Sequence, residues 1–419
     1  MSYLMKKENL FIRVALGFVI GALLGIFMPG LSKSIKILGD VYMTLIKMMI
    51  IPVLICAVMG GIINIKDTSS LRRIGLKTVA LYVLMFVVSA VLAFGVAYLI
   101  RPGLNVVLEN QPVWEGQLAD TTVSGFLSNI FPNNIFAAMS KGDILPTIIF
   151  VALLGVALVS VGEAGNPVKE WFNSMSAAIF KVLSMVMEFS PIGVMSLIAY
   201  SLAEYGTGIF SALGKYILTA WLASILVLIV VMILPVLIIT KTKPAPLLKS
   251  MGKISLMTLS TTSSAATLPT TIRVSIDDLG APEGISNFTL PLGCTINMCG
   301  GAVSFSVLAL FVADFYGLNL PIPTLMGMIV VSTMINMAAP GIPGGGIVLG
   351  ASFLATFGLP FDLMGPISAF YRLLDMAYTT LNVEGDLTAN LLISYSEGEW
   401  NPSMAKDKGQ TTPAVERAK

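Results

Sequence analysis

Apolar side chains run almost without interruption over residues 10–27, 40–63, 76–100, 144–161, 175–203 and 216–239. A hydrocarbon core of roughly 30 Å takes about 20 such residues in a helix, so these stretches predict six membrane-crossing helices joined by polar links. The fifth is broken at Ser190-Pro191-Ile192-Gly193. Beyond residue 240 the pattern changes. Residues 249–272 read KSMGKISLMTLSTTSSAATLPTTI, with small hydroxyl side chains where a spanning helix is normally most apolar, and residues 321–357 are interrupted by AAPGIPGGG. Backbone groups freed by proline and glycine are tolerated at membrane depth only inside protein or along a cavity. Two such interrupted segments, each near a long helix, point to a transporter site built from opposed re-entrant hairpins. The two remaining helices are polar at their centres: span seven holds GCTINMCGGAVSF and span eight RLLDMAYTTLNVEGDLTANLL. The expected fold is all-α and integral to the membrane, with eight transmembrane helices plus two opposed re-entrant hairpins.

Composition agrees with lipid as the solvent. The 419 residues are 56% hydrophobic and 11% charged, with a mean hydropathy of +0.87, too little polar surface to cover a water-soluble globule. Lys6, Lys7 and Arg13, then Arg72, Arg73 and Lys77, then Lys241, Lys243, Lys249 and Lys253 fall in alternate loops, which the positive-inside rule places in the cytoplasm. Glu109, Glu115 and Asp120 fall on the other side. Both termini are therefore expected inside, in a multi-pass protein of the plasma (inner) membrane whose first apolar stretch is a signal anchor. The lipid bilayer is a partner, and nucleic acid is not.

The chain has no histidine, which removes imidazole proton relays and most catalytic triads and metal sites. Cys56, Cys294 and Cys299 lie in apolar runs and read as buried thiols. Gly17, Gly21 and Gly25 make a small-xxx-small stripe, read as helix packing. Span two carries Lys47 and Pro52 in LIKMMIIPVLICAVMGG. Along span eight, Asp375, Thr379, Asn382 and Asp386 stand at i, i+4, i+7 and i+11 and share one helix face. Polar groups at that depth default to function. Asp375 and Asp386 are about 16 Å apart along the helix at 1.5 Å per residue, too far for a catalytic dyad, so no enzyme is expected.

SSAATLP, NMCGGA, APGIPGGG and D-x-x-x-T-x-x-N-x-x-x-D occur in that order, together with LIKMMIIP in span two. These segments resemble the signatures of the glutamate transporter (dicarboxylate/amino acid:cation symporter) family over essentially the whole chain. The resemblance implies an elevator-type homotrimer. Residues 1–240 would be mainly scaffold and trimerisation region, with spans three and six joining the transport domain; residues 241–396 would form the transport-domain core, and residues 397–419 a cytoplasmic polar tail.

In that family the position of Asp375 binds the substrate's α-amino group, which favours an amino acid over succinate or malate. Thr379 and Asn382, with Ser264 and the first hairpin tip, match positions that hold the α-carboxylate, and Ser263, Gly301, Ile342, Pro343 and Gly346 complete the implied substrate site. Two departures matter. The arginine that clamps acidic side chains is replaced by Tyr378, and the threonine that assists it by Gly301. A neutral amino acid is therefore expected, with an acidic amino acid or C4-dicarboxylate, reached by Arg372, as the alternative. A channel or ligand-gated receptor on the same polar core is the rival from another class. No cofactor is implied beyond the coupling ion, sodium or else a proton carried by Asp386 or Glu384. One sodium site would use Gly293, Asn297, Asn382 and Asp386. A second, mostly backbone, would use Thr295, Met298, Asn336, Met337 and Ala339. The third site of the family has lost its side-chain ligands, its positions being Met85, Phe86 and Cys299. The first hairpin carries Thr262 where many relatives have arginine.

Overall fold

The computed structural model describes residues 10–63, 69–104, 114, 131–337, 345–360 and 362–401. Among these the chain is helical throughout, without a strand. The predicted first span is α1, Leu10–Phe27; a short α2, Pro29–Ser34, leads into α3, Lys36–Ile63, and then α4, Ser69–Ile100. A surface turn of helix, α5 (Ile135–Lys141), capped by the Asn134 side chain, precedes α6, Ile144–Ser160. The predicted break in the fifth span separates α7, Asn166–Glu188, from α8, Ser190–Tyr205, and the two are bent by 47°. Proline sits in the first turn of α8, where the helix needs no N–H from it. The sixth span is α9, Gly208–Val227, which continues through a π turn at Leu228–Ile233 into α10, Leu234–Thr240.

The first interrupted segment forms two helices, α11 (Pro244–Thr261) and α12 (Ser264–Arg273), parted at Thr262 and Ser263. Span seven is also two helices, α13 (Glu283–Ile296) and α14 (Cys299–Phe315), because Asn297 and Met298 leave the helical backbone (φ −99°, ψ 96° and φ −116°, ψ 56°). The second interrupted segment gives α15, Ile322–Met337, and α16, Gly345–Thr356; residues 338–344 between them lie outside the described residues. Span eight is α17, Met364–Ser396.

Four described helical runs are long and apolar enough to cross a membrane, or five if the bent α7–α8 pair is one span. α1 and α6 are shorter apolar helices, and α17 does not pass on apolarity because its middle is polar. The protein is membrane-embedded by this measure.

The arrangement is built around α14, which is buried along nearly its whole length against α4, α9, α15 and α17. α4 is tied to this core at both ends. Arg101 pairs with Asp314 of α14 at 2.8 Å, while Lys77, at 2.5 Å, and Arg73 engage Glu397 just beyond α17. Lys253 and Asp278, 2.6 Å apart, join the arms of the first hairpin, and the Trp400 indole donates to the Leu279 carbonyl, seating the end of span eight on the hairpin's base. The three cysteines are free and buried, as expected.

The glycine stripe of α1 has a steric cause. α1 lies along α8 so closely that a Cβ on Gly17 or Gly21 would fall 2.3 Å from the carbonyl oxygen of Pro191 or Met195, and one on Gly25 2.6 Å from Leu202 Cβ. In lipid, where no hydrophobic force presses helices together, such close backbone approach is the main source of cohesion. Gly21→Leu is expected to destabilise the protein by about 1–3 kcal/mol through overpacking, seen as a lower midpoint of thermal unfolding in detergent. Gly95→Ala, where a Cβ meets nothing within 4 Å, is expected to leave the midpoint unchanged or raise it, since glycine costs a helix up to about 1 kcal/mol.

Candidate functional site

The helix breaks converge on one face of α17. The first hairpin turns at Thr262, whose φ of 48° is unusual for a β-branched residue. Ser263 then caps α12, its hydroxyl accepting from the Ala266 N–H at 3.2 Å, so this serine is spent on the helix end while Ser264 faces the cleft. At the other break, Gly300 donates its N–H to Asn382 Oδ1 at 2.8 Å. A Cβ on Gly300 would lie 2.1 Å from the Tyr378 carbonyl oxygen. α14 therefore begins in direct backbone contact with α17, which only glycine permits.

The cleft so formed is lined by Thr262, Ser264, Gly301, Asn336, Gly346, Asp375, Tyr378, Thr379 and Asn382, together with Met298, Ser304, Phe305, Leu349 and Tyr371. Of the residues expected to hold substrate, Ser264, Gly301, Gly346, Asp375, Tyr378, Thr379 and Asn382 are brought together here. Ile342 and Pro343 lie outside the described residues, as does Ala339. Thr379 donates to Asp375 Oδ1 at 3.2 Å, which fixes that carboxylate on the cleft wall. Arg372 does not line the cleft; its guanidinium donates to the Ser260 carbonyl at 3.1 Å, bracing the first hairpin's tip against α17. Sequence reasoning had not placed Ser304, Phe305, Leu349 or Tyr371 in the site. Tyr371 stands four residues before Asp375, so carrying the polar stripe of span eight back one turn would have found it. Its hydroxyl reaches Gly346, where a Cβ would fall only 1.9 Å away.

A second cluster lies deeper. Asn297 Nδ2 donates to Asp386 Oδ1 at 2.8 Å and to the Asn382 carbonyl at 3.1 Å, and the Gly293 carbonyl accepts from the Asn297 N–H at 2.7 Å. The carboxylate of Asp386, 2% exposed, is thus held by the Asn297 amide, which also ties in the Asn382 carbonyl, while the Gly293 carbonyl is bonded by the Asn297 N–H. One carboxylate with neutral oxygens suits a hard monovalent cation. No cluster of three or more histidine, cysteine or acidic side chains that could hold a metal ion occurs among the described residues.

Beside that cluster the lining is soft and apolar. Cys299 Sγ donates to Asn297 Oδ1 at 2.9 Å, and Met85 Cε lies 3.3 Å from where a Cβ on Gly385 would be. Met85, Phe86 and Cys299 are all buried. Around the second set of expected ligands, the extended backbone at Asn297 and Met298 faces the end of α15. There Asn336 is 2% exposed and Met337 half-buried, while the Thr295 hydroxyl is bonded back to the Leu292 carbonyl at 2.7 Å.

Several other polar side chains of α17 are bonded to its neighbours. Ser255 donates to Glu384 Oε1 at 2.8 Å, Thr258 and Thr380 share a hydrogen bond of 2.7 Å, and Thr388 donates to the Met232 carbonyl at 3.3 Å. Asn390 accepts from Thr289 at 2.8 Å and donates to Ser275 at 2.6 Å.

Helices broken at Thr262–Ser263 and at Asn297–Met298, with the end of α15, meet at a polar, buried face of one long helix, an arrangement that suits a membrane transport protein. The sodium:dicarboxylate symporter family matches residues 10–396, and the chain belongs to that family. It is similar to a proton/sodium-glutamate symport protein of Geobacillus stearothermophilus (28% identity over 96% of this chain and 98% of the relative). It is also similar to a proton/glutamate-aspartate symporter of Escherichia coli strain K12 (30% identity, 95% of each chain) and to a C4-dicarboxylate transport protein of Pseudomonas paraeruginosa (29% identity, 94% and 90%). The protein is accordingly a cation-coupled symporter of this family and not an enzyme.

The closest approach in the deeper cluster generates a test. A Cβ on Gly293 would lie 2.3 Å from both Asp386 Oδ1 and the Tyr82 hydroxyl. Gly293→Ala must therefore displace the carboxylate or the phenol. Its cation-dependent thermal stabilisation is expected to require ~10-fold or more added cation, the usual cost of disturbing the shell around a bound ion.

Proposed function

We propose that the protein is a sodium-coupled symporter of a neutral L-amino acid, with eight membrane crossings, two re-entrant hairpins and both termini in the cytoplasm. It works as a homotrimer by an elevator motion in which α4, α9–α10 and the region 241–396 travel against a scaffold made by the rest of residues 1–240. The attachment of α4 to α14 through Arg101–Asp314 and to the end of α17 through Lys77–Glu397 supports its grouping with the moving unit.

The observation that carries the substrate assignment is the charge of the cleft. Asp375 is the single ionisable acid or base among its described lining residues other than the phenols of Tyr371 and Tyr378. An α-ammonium pairs with that carboxylate, while the α-carboxylate is met by Thr379, Asn382, Ser264 and the free N–H groups at the start of α12. A further carboxylate on the substrate would face Tyr378 without a cation and forgo a charge-assisted bond worth about 1.5–3 kcal/mol. The relatives carry glutamate, aspartate or C4-dicarboxylates by name. Tyr378 in place of the arginine and the engagement of Arg372 with Ser260 support the neutral reading over an acid carrier.

For coupling, Asp386 with Asn297, Asn382 and the carbonyl of Gly293 holds one sodium ion, and the backbone at Thr295, Met298, Asn336, Met337 and Ala339 a second. The third site of the family is filled here by Met85, Phe86 and Cys299. A thioether and a thiol are poor ligands for a hard cation, so fewer sodium ions are coupled per cycle.

A thermal-shift panel of the twenty L-amino acids with succinate, malate and fumarate, each in sodium and in choline chloride, tests this reading, because a ligand stabilises in proportion to the logarithm of its concentration over its dissociation constant. The expected result is a shift with one or a few neutral amino acids in sodium alone. Shifts confined to aspartate, glutamate or dicarboxylates overturn it, and equal shifts in choline move the coupling to protons. Asp375→Asn is expected to weaken amino acid binding by about 10- to 100-fold, and Tyr378→Arg to bring in acidic substrates.

A further inference from the structure

The floor of the cleft at Gly301 is not empty. Asn336, at the end of α15, projects its carboxamide across it, so that a Cβ on Gly301 would lie 1.7 Å from Asn336 Oδ1. The carboxamide is held in one orientation. Asn336 Nδ2 donates to the Ser332 carbonyl at 2.7 Å and contacts Ser332 Oγ at 3.2 Å. A carbonyl can only accept, so the nitrogen must face Ser332, and the oxygen must face Gly301 and the cleft. No described group donates to that oxygen. On the same wall stand Ser304 and Tyr378. The place where a larger residue at 301 would put its own side chain is thus taken by a fixed acceptor.

We propose that Asn336 Oδ1 determines side-chain specificity, and that the substrate is a neutral L-amino acid whose side chain donates a hydrogen bond, a hydroxyl or a carboxamide. This rests on the neutral-substrate reading above. A buried acceptor left unpaired costs free energy, and a site built to bond a substrate hydroxyl therefore discriminates strongly against the analogue that lacks it. A carboxylate side chain, which only accepts, is repelled by the same oxygen. Gly301 is required because any side chain there would displace the carboxamide.

The test compares matched ligands on the purified full-length protein in sodium: serine against alanine, threonine against its isostere valine, asparagine against its apolar isostere leucine, and aspartate, glutamate and malate as a separate set. Apparent dissociation constants from thermal shift or from competition for uptake give a donor-to-apolar ratio for each pair. The expected ratio favours serine and threonine by about tenfold or more, and it falls toward one in Asn336→Ala and in Gly301→Ala. Alanine or valine binding as well as its partner in the unmodified protein overturns the inference and leaves the neutral-substrate reading standing. A ratio unchanged in Gly301→Ala or Asn336→Ala, whichever folds, also overturns it. Binding of the acids alone sinks both, and binding of none of the hydroxyl or carboxamide ligands overturns the inference.

Discussion

The structure depends on one constraint: α17 carries polar side chains along its middle, and in hydrocarbon each of them must find a partner inside the protein. α17 can satisfy them because its neighbours are broken where they meet it. Half-helices end in unpaired N–H and carbonyl groups, and at Thr262, at Asn297 and Met298, and at the end of α15 those ends are directed at the same face. Glycine makes the contact intimate. With Gly300 set against the Tyr378 carbonyl and Gly293 against Asp386, backbone groups of span seven come within bonding distance of side chains on span eight.

Two populations of polar residue on α17 follow. Thr380, Glu384, Thr388 and Asn390 are spent on α11, the π turn after α9, and the helices around Ser275 and Thr289; they hold the hairpin and span seven to span eight as one body. Asp375, Tyr378, Thr379, Asn382 and Asp386 face the breaks. Glu384 belongs to the first group through Ser255, although its second carboxylate oxygen has no partner. The seam is what allows a cleft to exist.

Much of this was legible in the chain. The break at Ser190-Pro191 and the hydroxyl-rich hairpin tip announced themselves by composition, because proline and serine have no reason to sit in a lipid-facing helix. The stripe from Asp375 to Asp386 followed from helical periodicity. The glycine stripe of α1 was read as packing, and its partner proved to be α8. Other features were not legible. The break within span seven appeared only as a polar, glycine-rich centre, and the π turn of α9 has no local signal. Side chains of the seam and of the cleft are the same residue types on one helix, so only their partners tell Asn382 from Asn390. The carboxamide of Asn336 escaped notice because its role depends on the absence of a side chain at position 301, thirty-five residues away and on another helix.

The electrostatics of the two clusters give the chemistry its direction. At the cleft, the proposed amino acid would bring one positive and one negative group to a wall whose one carboxyl group is Asp375, and its carboxylate would be met by dipoles. The balance there is the charge of Asp375. In the deeper cluster Asp386 is a second carboxyl group, bonded by the neutral Asn297 amide. A monovalent cation neutralises it without help, and desolvated carboxylates in low dielectric make that pairing strong. Asn382 touches both places, its side chain bonded to Gly300 at the cleft and its carbonyl to Asn297 beside Asp386. A cation that draws on the Asn382 carbonyl must compete with Asn297 for it, and Asn297 is also bonded to Asp386. On the proposed assignment, filling the deeper cluster would rearrange Asn382, the residue that helps to hold the substrate carboxylate, which is a physical route by which ion and substrate binding would depend on each other.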